Sequence, residues 1–437
     1  MNECDCLLLA DYIVTQNERR EIIEKGAVAV DNGKIADIGA AEKVVPNWKG
    51  RKSVDAGQAL IMPGLINAHT HAAMTFLRGL ADDLPLLDWR RNTVFPIEAR
   101  LVPEIVELGS LLGYAEMLAT GTTACADMYI FEDSVFKAAK RAGIRCLGGE
   151  AIFSFPSAAC SGPEEALELT GELAERYADD PLIDVAVNPH SVYTVEPKIL
   201  RACSDLAKRL DAPLHIHLAE TASETVLCLE KSGQRPIALA EENGVFDGLA
   251  LAAHLVDINE EEADFLASKN VVPVHNPGSN MKLASGVAPA PMMLERGLPV
   301  ALGTDGPASN NTLNMFAEMN RTALLHKATS GDAEVAPASV VLDMATRNGA
   351  RIFRAPGLGS LEKGAPADLI ILDITAPHMR PFYNPVSQIV YAASGHECRL
   401  TMIDGKIRYD KGKYSFDYDE LLRETEALKK FVRGKYS

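Results

Sequence analysis

The sequence predicts an α/β protein, a (β/α)8 TIM-like barrel with a small β-sandwich domain that both chain termini build together. Short apolar stretches alternate with helical patterns in the middle of the chain, and both ends are rich in β-forming residues. The length of 437 residues suffices for a barrel of about 250 residues with additions. We expect residues 1–58 and 355–437 to form the small domain and a terminal helix, and residues 59–354 to form the barrel.

Short β-rich stretches occupy both ends of the chain. Near the N-terminus, Asp31-Asn32-Gly33 is a hairpin signal between two of them. Residues from Tyr418 onward show helical spacing and many charges, which predicts a terminal surface helix. Because β-rich ends flank a long middle, we expect the two ends to meet in one sheet domain. The stretches are residues 7–15, 27–30, 35–38, 367–372 and 401–406.

The middle of the chain repeats a strand-and-helix unit. Helical patterns such as residues 104–119 and 197–210 separate apolar strands, of which the first is expected over residues 59–66. Eight such units favour a parallel barrel, with a doubly wound open sheet as the alternative. Catalytic groups of a barrel lie at the carboxyl ends of its strands. The strands are expected to end near Ala68, Asp127, Glu150, Pro189, Ala219, His254, His275 and Thr304.

Composition and charge exclude several classes of protein. The chain has 60 acidic and 43 basic residues, a formal charge of −17, whereas nucleic-acid binding needs a basic surface. No stretch approaches the roughly 20 apolar residues of a membrane span, and the first residues are acidic, unlike a secretory signal. We therefore expect a cytoplasmic protein that binds neither nucleic acid nor membrane. The eight scattered cysteines predict reduced, packed thiols.

Histidines and one aspartate fall at the ends of several predicted strands. His69 and His71 follow the first strand, and residues i and i+2 of an extended chain face the same side. His217, His254 and Asp305 end later strands. Each of these residues alone is more often structural. Their joint placement at the expected catalytic end of the barrel predicts metal-dependent chemistry.

Three other residues, Glu220, His215 and His275, also lie on or near predicted strands. Glu220 closely follows a strand-end histidine, and it is either a catalytic carboxylate or a solvated turn residue. His215 precedes that histidine by two residues, and we favour a packed histidine that fills a layer of the barrel. His275 also ends a strand, but the sequence gives it no role.

Three segments resemble the amidohydrolase superfamily, and within it the 5′-methylthioadenosine/S-adenosylhomocysteine deaminases. The resemblance covers nearly the whole chain. The first segment is typical of the whole superfamily, and the other two occur in related aminohydrolases and chlorohydrolases as well. The segments are Pro63-Gly-Leu-Ile-Asn-Ala-His-Thr-His71, Leu77-Arg-Gly-Leu-Ala-Asp-Asp-Leu84 and His275-Asn-Pro-Gly-Ser-Asn-Met-Lys-Leu283.

The resemblance implies an enzyme that removes the amino group of an adenine ring by hydrolysis. It also assigns a role to each candidate residue. The implied metal ligands are His69, His71, His217 and Asp305. The implied catalytic residues are Glu220, His254 and Asp305, and the implied substrate contacts are Trp89, Glu98 and His190. Trp89 lies in a long loop, residues 80–96, which is a candidate lid.

We expect one metal ion per subunit. Some superfamily members hold two ions with a carboxylated lysine at the end of the fourth strand, but residues 184–190 of this chain contain no lysine. A set of histidines and one carboxylate suits Zn²⁺, and Fe²⁺ or Mn²⁺ could also occupy it.

One departure from the family pattern concerns the 5′ substituent of the substrate. Members that accept S-adenosylhomocysteine place an arginine where this chain aligns Glu150, which we count among the substrate-binding residues. A carboxylate there would repel the amino-acid carboxylate, and Phe153, Phe155 and Pro156 make the region apolar. We therefore expect 5′-methylthioadenosine, 5′-deoxyadenosine or adenosine to be preferred.

Other functions remain open on the same metal site. The main alternative is an aminohydrolase or chlorohydrolase of guanine, a pterin or a triazine. Hydrolysis of cyclic ureides is less favoured because the bridging lysine is missing, and a non-catalytic scaffold is disfavoured by the complete ligand set. The expected partner is a small nucleoside substrate, and a homo-oligomer is expected because most soluble oligomers are of this kind.

Overall fold

Strands lie at both ends and in the middle of the chain, with helices between them. The computed structural model describes residues 1–80, 82–83 and 90–434. In chain order the strands are β1 (Asn2–Val14), β2 (Ile22–Asp31), β3 (Lys34–Ala40), β4 (Trp48–Asp55), β5 (Ala59–Pro63), β6 (Leu65–Thr70), β7 (Thr122–Asp127), β8 (Arg145–Gly148), β9 (Ala151–Ile152), β10 (Ile183–Val185), β11 (Asn188–Pro189), β12 (Leu214–Leu218), β13 (Ala250–His254), β14 (Val271–His275), β15 (Ala301–Leu302), β16 (Leu369–Asp373), β17 (Cys398–Ile403), β18 (Lys406–Asp410) and β19 (Lys413–Tyr414).

Helices connect these strands and close the chain. The α-helices of the described residues are Ala41–Val44, Phe95–Glu98, Pro103–Ala119, Glu132–Ala142, Pro163–Arg176, Pro197–Leu210, Ala222–Ser232, Pro236–Glu242, Glu260–Ala267, Pro277–Lys282, Ala290–Glu295, Pro307–Asn310, Met315–Ser330, Ala338–Met344, Arg347–Ala350, Pro385–Ser387 and Tyr418–Val432. Short 3-10 or π turns cover Val45–Asn47, Ala72–Leu77, Arg90–Val94, Pro377–Met379 and Gln388–Ala392.

The predicted domain built from both termini is confirmed as a mixed sheet. Within the described residues it is one continuous nine-stranded sheet in the order β19-β18-β17-β16-β5-β1-β2-β3, with β4 beside β1. Antiparallel pairing of β5 with β16 joins the N-terminal strands to the C-terminal ones. The predicted hairpin turn is present, and Asn32 and Gly33 take the positive φ angles of 50° and 76° that such a turn requires.

One predicted barrel strand is two strands in the structure. The sequence predicts a single strand over residues 59–66, but β5 belongs to the terminal sheet and only β6 to the barrel. The change occurs at Gly64, where a Cβ atom would lie 2.1 Å from the side chain of Thr123. Only glycine allows this approach. The sequence does not reveal the boundary between β5 and β6, because both strands are apolar and buried, each in its own domain.

The parallel strands of the middle confirm the (β/α)8 fold. One ladder joins β6, β7, β8 and β10, another joins β12 to β15, and β9 pairs with β11. Isolated parallel bridges join Val187 to Leu214 and Thr70 to Asp305, so the first barrel strand lies beside the last. A first strand beside the last is typical of a barrel and not of an open sheet. The predicted helices over residues 104–119 and 197–210 are also present.

A buried ion pair joins the barrel to the terminal sheet. Arg145 donates from Nε and Nη2 to the two carboxylate oxygens of Asp368, at 2.7 and 3.0 Å. The backbone N–H of Asp404 also donates to Asp368, at 2.9 Å. The side chains of Arg145 and Asp368 are only 8% and 1% exposed. The pair therefore bridges the two domains away from solvent.

The cysteines and the terminal helix are as the sequence predicts. All eight cysteines are free and buried, as predicted. The terminal helix Tyr418–Val432 is present and buries Leu421, Leu428 and Phe431. No helix in the described chain combines the length and the apolar character that crossing a membrane would need.

Candidate active site

Four histidines and one aspartate converge at the carboxyl end of the barrel. One ligand atom from each of His69, His217, His254 and Asp305 lies within 4.8 Å of the others. His71 reaches the same centre, because its Nε2 is 3.1 Å from Asp305 Oδ1 and 3.2 Å from His217 Nε2. The fold thus brings together the five residues that the sequence places at separate strand ends.

The donor set of this centre fits a divalent metal ion. His69 Nε2 and His254 Nε2 are buried and have no hydrogen-bond partner among the described residues. Burying such atoms is costly unless a ligand satisfies them. Burial also lowers the pKa of His69 to about 4 and that of His217 well below its ordinary value. These neutral imidazoles beside a carboxylate are ligands that Zn²⁺ and similar ions accept.

Backbone carbonyls fix the orientation of two histidines. His71 Nδ1 lies 2.5 Å from the carbonyl of Met128, and His217 Nδ1 lies 2.7 Å from the carbonyl of His190. A carbonyl can only accept, so both Nδ1 atoms carry the proton. Both rings therefore direct Nε2 towards the centre.

His215 supports His69 from deeper in the barrel. Its Nε2 lies 2.8 Å from His69 Nδ1, and both rings are buried. If His69 binds a metal through Nε2, its Nδ1 must donate to His215. His215 was expected to fill a layer of the barrel, and it also holds the ring of a candidate ligand.

Two serines orient the carboxylate of Asp305. Ser279 and Ser309 donate to Oδ2 at 2.6 and 2.8 Å, while Oδ1 lies 3.5 Å from His69 and 3.1 Å from His71. Burial opposes ionisation, but the nearby imidazoles of His69 and His71 outweigh it and hold the pKa of Asp305 well below its usual range. The carboxylate is therefore charged, with one oxygen directed to the centre.

The candidate catalytic residues lie on or beside strained turns. Ala219, which precedes Glu220, has a φ of 51°, while His254 has a φ of 78° and Asp305 a φ of 59°. A left-handed residue with a Cβ atom costs of the order of 1–3 kcal/mol, and such residues cluster at functional sites. His254 Nδ1 lies 2.8 Å from Asn280 Oδ1, so Nδ1 donates to this amide oxygen and Nε2 is left for the centre.

The centre opens into a cavity of about 330 Å³. Its polar lining includes Glu220 and Asp305, whereas one side is aromatic and aliphatic. A few placed polar groups on an apolar wall are typical of small-molecule sites. The main apolar residues are Val94, Phe95, Ile130, Phe153, Phe155 and Pro156.

Two of the predicted substrate contacts, Glu98 and His190, line this cavity. Glu98 accepts a hydrogen bond from the hydroxyl of Tyr129 at 2.7 Å. The ring of His190 lies 4.8 Å from that of Phe153, with the two planes 31° apart. Trp89, the third predicted contact, lies outside the described residues, as does most of the segment just before it.

Glu150 lies beside the cavity and not among its lining residues in the described part of the chain. Its carboxylate is buried and accepts the backbone N–H groups of Phe131 and Glu132 at 3.1 and 2.9 Å. The side chain therefore fixes the start of the helix Glu132–Ala142.

Sequence reasoning did not assign roles to several residues that shape the site. Ser279 and Asn280 lie inside the third family-like segment, so their signal was present. Ser309 lies four residues after Asp305, in the helix Pro307–Asn310, and Tyr129 lies just beyond the end of β7. His275, which the sequence left without a role, lies with Nε2 3.2 Å from His326 Nε2.

The chain matches known proteins over nearly its whole length. The model of the amidohydrolase family matches residues 60–408. A Desulfovibrio desulfuricans protein named 5-methylthioadenosine/S-adenosylhomocysteine deaminase is 57% identical over 434 residues, which cover 99% of each chain. A Lawsonia intracellularis protein of the same name is 52% identical over 433 residues, which cover 99% of this chain and 98% of that one.

Solved structures show the same architecture. An adenosine deaminase from Xanthomonas campestris with bound zinc has a TM-score of 0.96 and 37% identity, and the match covers 99% of each chain. An atrazine chlorohydrolase from Arthrobacter aurescens has a TM-score of 0.89 at 22% identity, with 97% of this chain and 99% of that one covered. The second match shows likeness of fold alone.

Proposed function

The chain belongs to the amidohydrolase family, and from this premise we propose that it hydrolyses the amino group from the adenine ring of 5′-substituted adenosines. The products are the inosine analogue and ammonia. The observation that carries this proposal is the buried group of histidines and Asp305, which opens into a cavity that Glu220 lines. Relatives that are 52–57% identical over nearly the whole chain are named as deaminases of this kind.

We propose that His69, His71, His217 and Asp305 hold one divalent ion per subunit. Zn²⁺ is the expected ion, because the Xanthomonas campestris relative holds zinc, and Fe²⁺ or Mn²⁺ would suit the same donors. When bound, such an ion supplies Lewis acidity, which lowers the pKa of a water towards about 7.

The side chains around the centre would move the protons of the reaction. Asp305 takes a proton from the water that attacks C6, through Oδ1, because Oδ2 already accepts two serine hydroxyls. His254 orients this water through Nε2. Glu220 gives a proton to N1 and so makes C6 electrophilic. Once the water oxygen has bonded to C6, Asp305 passes its proton to the amino group and the C6–N bond breaks to release ammonia. Glu220 takes back the proton of the C6 hydroxyl as the C6 carbonyl forms. General acid–base transfer of this kind contributes roughly 10²–10⁴-fold.

The cavity suggests how the nucleoside is held. Glu98 is a suitable acceptor for ribose hydroxyls, and His190 and Trp89 are proposed to contact the substrate. Phe153 and Phe155 favour a small or apolar 5′ group, and Glu150 supplies no cation for an amino-acid carboxylate. We therefore propose 5′-methylthioadenosine, 5′-deoxyadenosine or adenosine as preferred substrates over S-adenosylhomocysteine.

The test is ammonia release from these adenosines, S-adenosylhomocysteine and guanine, by metal-loaded wild-type protein and Glu220→Gln. An amide cannot give the proton to N1, so we expect kcat to fall by about 100-fold or more with metal content unchanged. Glu230→Gln, an exposed change in the following helix, should leave kcat unchanged.

Each arm of this experiment can contradict one part of the proposal. Near-wild-type turnover by Glu220→Gln would remove the proton-donor role. Turnover of guanine alone would assign the site to another heterocycle, and equal specificity constants for S-adenosylhomocysteine would remove the 5′ preference. A cytoplasmic location and a homo-oligomeric assembly stay predictions.

A further inference from the structure

We propose that Glu224 is a positioning residue that holds Glu220 in its catalytic place through the backbone. This inference rests on the proton-donor role proposed for Glu220. Glu224 lies one helical turn further along the chain and is 4% exposed. Glu224 contacts Glu220 through the main chain of that residue.

The carboxylate of Glu224 accepts hydrogen bonds from the two backbone N–H groups that set the direction of the Glu220 side chain. Oε1 accepts the N–H of Ala219 at 3.1 Å, and Oε2 accepts the N–H of Glu220 at 2.7 Å. Its own N–H donates to the hydroxyl of Thr221, the N-cap of the helix Ala222–Ser232, at 3.1 Å. The first turn of this helix therefore anchors the carboxylate.

The turn at Ala219 and Glu220, whose N–H groups bond to Glu224, has a strained backbone. Ala219 has a φ of 51°, which residues with a Cβ atom rarely adopt. The carbonyl of Ala219 accepts the N–H groups of Val256 and Asp257 at 2.9 and 3.0 Å. The turn is thus held by Glu224 on its N–H side and, on its carbonyl side, by the loop that follows His254.

A second helix shows what an ordinary capping glutamate does. Glu262 occupies the same third position of the helix Glu260–Ala267, and it accepts the N–H of the N-cap residue Asn259 at 3.0 Å. This is the usual reciprocal capping arrangement. Glu224 reaches one and two residues further upstream, onto the peptide groups of Ala219 and Glu220. Its contacts therefore serve the direction of a side chain as well as the start of a helix.

The experiment compares Glu224→Gln and Glu224→Asp with Glu220→Gln and with the capping control Glu262→Gln. Glutamine turns an amide NH2 towards one of the two N–H groups, and aspartate keeps the charge but is one methylene short. We expect both changes at Glu224 to lower kcat for 5′-methylthioadenosine by about 10- to 100-fold, since small displacements of catalytic groups cost this much. The KM should change less than about threefold, and metal content should stay at the wild-type level.

The control separates positioning from helix capping. Glu262→Gln should leave kcat within about twofold of wild type even where its melting temperature falls as far as that of Glu224→Gln. If Glu224→Gln does not fold, the same measurement on Glu224→Asp decides. A wild-type kcat for the folded Glu224 variants, beside an inactive Glu220→Gln, would overturn this inference alone. An active Glu220→Gln would instead overturn the proposed role of Glu220.

Discussion

At the scale of single residues, Glu150 is a carboxyl group that the fold keeps away from water. Burial raises its pKa to about 7, although the N–H groups of Phe131 and Glu132 partly oppose this rise. In the unfolded chain the same carboxyl would titrate near 4.5, its ordinary value. Between these two pH values the folded protein holds a proton that the unfolded chain releases.

This difference gives a pH dependence of stability with a definite sign. The contribution of protonated Glu150 is fully present below about pH 4.5 and is lost as the pH rises towards about 7. We expect the melting temperature of the wild type to fall relative to that of Glu150→Gln over this range. Melting curves of both proteins, with the exposed change Glu172→Gln as a control, test this. Parallel pH profiles for the wild type and Glu150→Gln would contradict it.

The candidate metal ligands were predictable from the sequence, but the groups that fix their orientation were not. His69, His71 and His217 were found because imidazole is a metal ligand and strand ends are predictable. The carbonyls of Met128 and His190, which fix two of these rings, belong to the backbone and carry no signature in the sequence. Positions of supporting groups depend on which strands become neighbours, and this is known only from the fold.

At the scale of elements, the helix Pro103–Ala119 fixes the segment that follows His71. A Cβ atom at Gly109 would lie 2.4 Å from the carbonyl oxygen of Ala73. The hydroxyl of Thr75 donates to the carbonyl of Gly109 at 2.6 Å. The missing side chain therefore lets the turn Ala72–Leu77 lie directly on the helix.

Gly109→Ala should disturb both the fold and the metal site. The added methyl group meets backbone, which cannot move aside as a flexible side chain can, so the turn after His71 must shift. We expect a lower melting temperature and less metal retained after dialysis. Gly171→Ala is the matched control, because nothing lies within 4 Å of its Cβ position in another helix. It should stabilise the protein by about 0.5–1 kcal/mol. Equal metal retention by Gly109→Ala and wild type would contradict the prediction.

Elements were predictable where they bury an apolar face. The helix expected over residues 197–210 is present at those residues. Strand β4, by contrast, is largely exposed and polar, so no hydrophobic pattern marks it. The change of sheet at Gly64 was missed for the opposite reason, because apolar residues continue on both sides of it.

At the scale of the whole molecule, Arg145 and Asp368 are 223 residues apart in sequence, and their ion pair links the barrel to the terminal sheet. Arg145→Met should lower the free energy of unfolding by about 3–5 kcal/mol, because it leaves a buried carboxylate without its partner. Adding Asp368→Asn removes that charge and should restore much of the loss. Chemical unfolding of the single and double variants measures both effects.

An exposed ion pair provides the comparison. Arg296 pairs with Asp264, whose side chain is 66% exposed, so Arg296→Met should cost about 0–1 kcal/mol. Wild-type stability of Arg145→Met would show that the buried pair does not hold the domains together.

The overall architecture was predictable because it depends on repetition. Alternating strands and helices indicate a barrel whatever the details of each unit, and two β-rich ends suggest that they meet. The pairing of β5 with β16 was not predictable, because strand pairing at such a separation leaves no local pattern in either strand.

This pairing has a consequence during translation. The partner of β5 leaves the ribosome about 300 residues after β5 itself, which at roughly 5–20 residues per second is a delay of about 15–60 s. For that time the nascent chain carries an open, apolar strand edge, the kind of surface on which chains aggregate. Yield in a heterologous host should therefore depend on elongation speed and on chaperones that shield this edge until β16 has emerged.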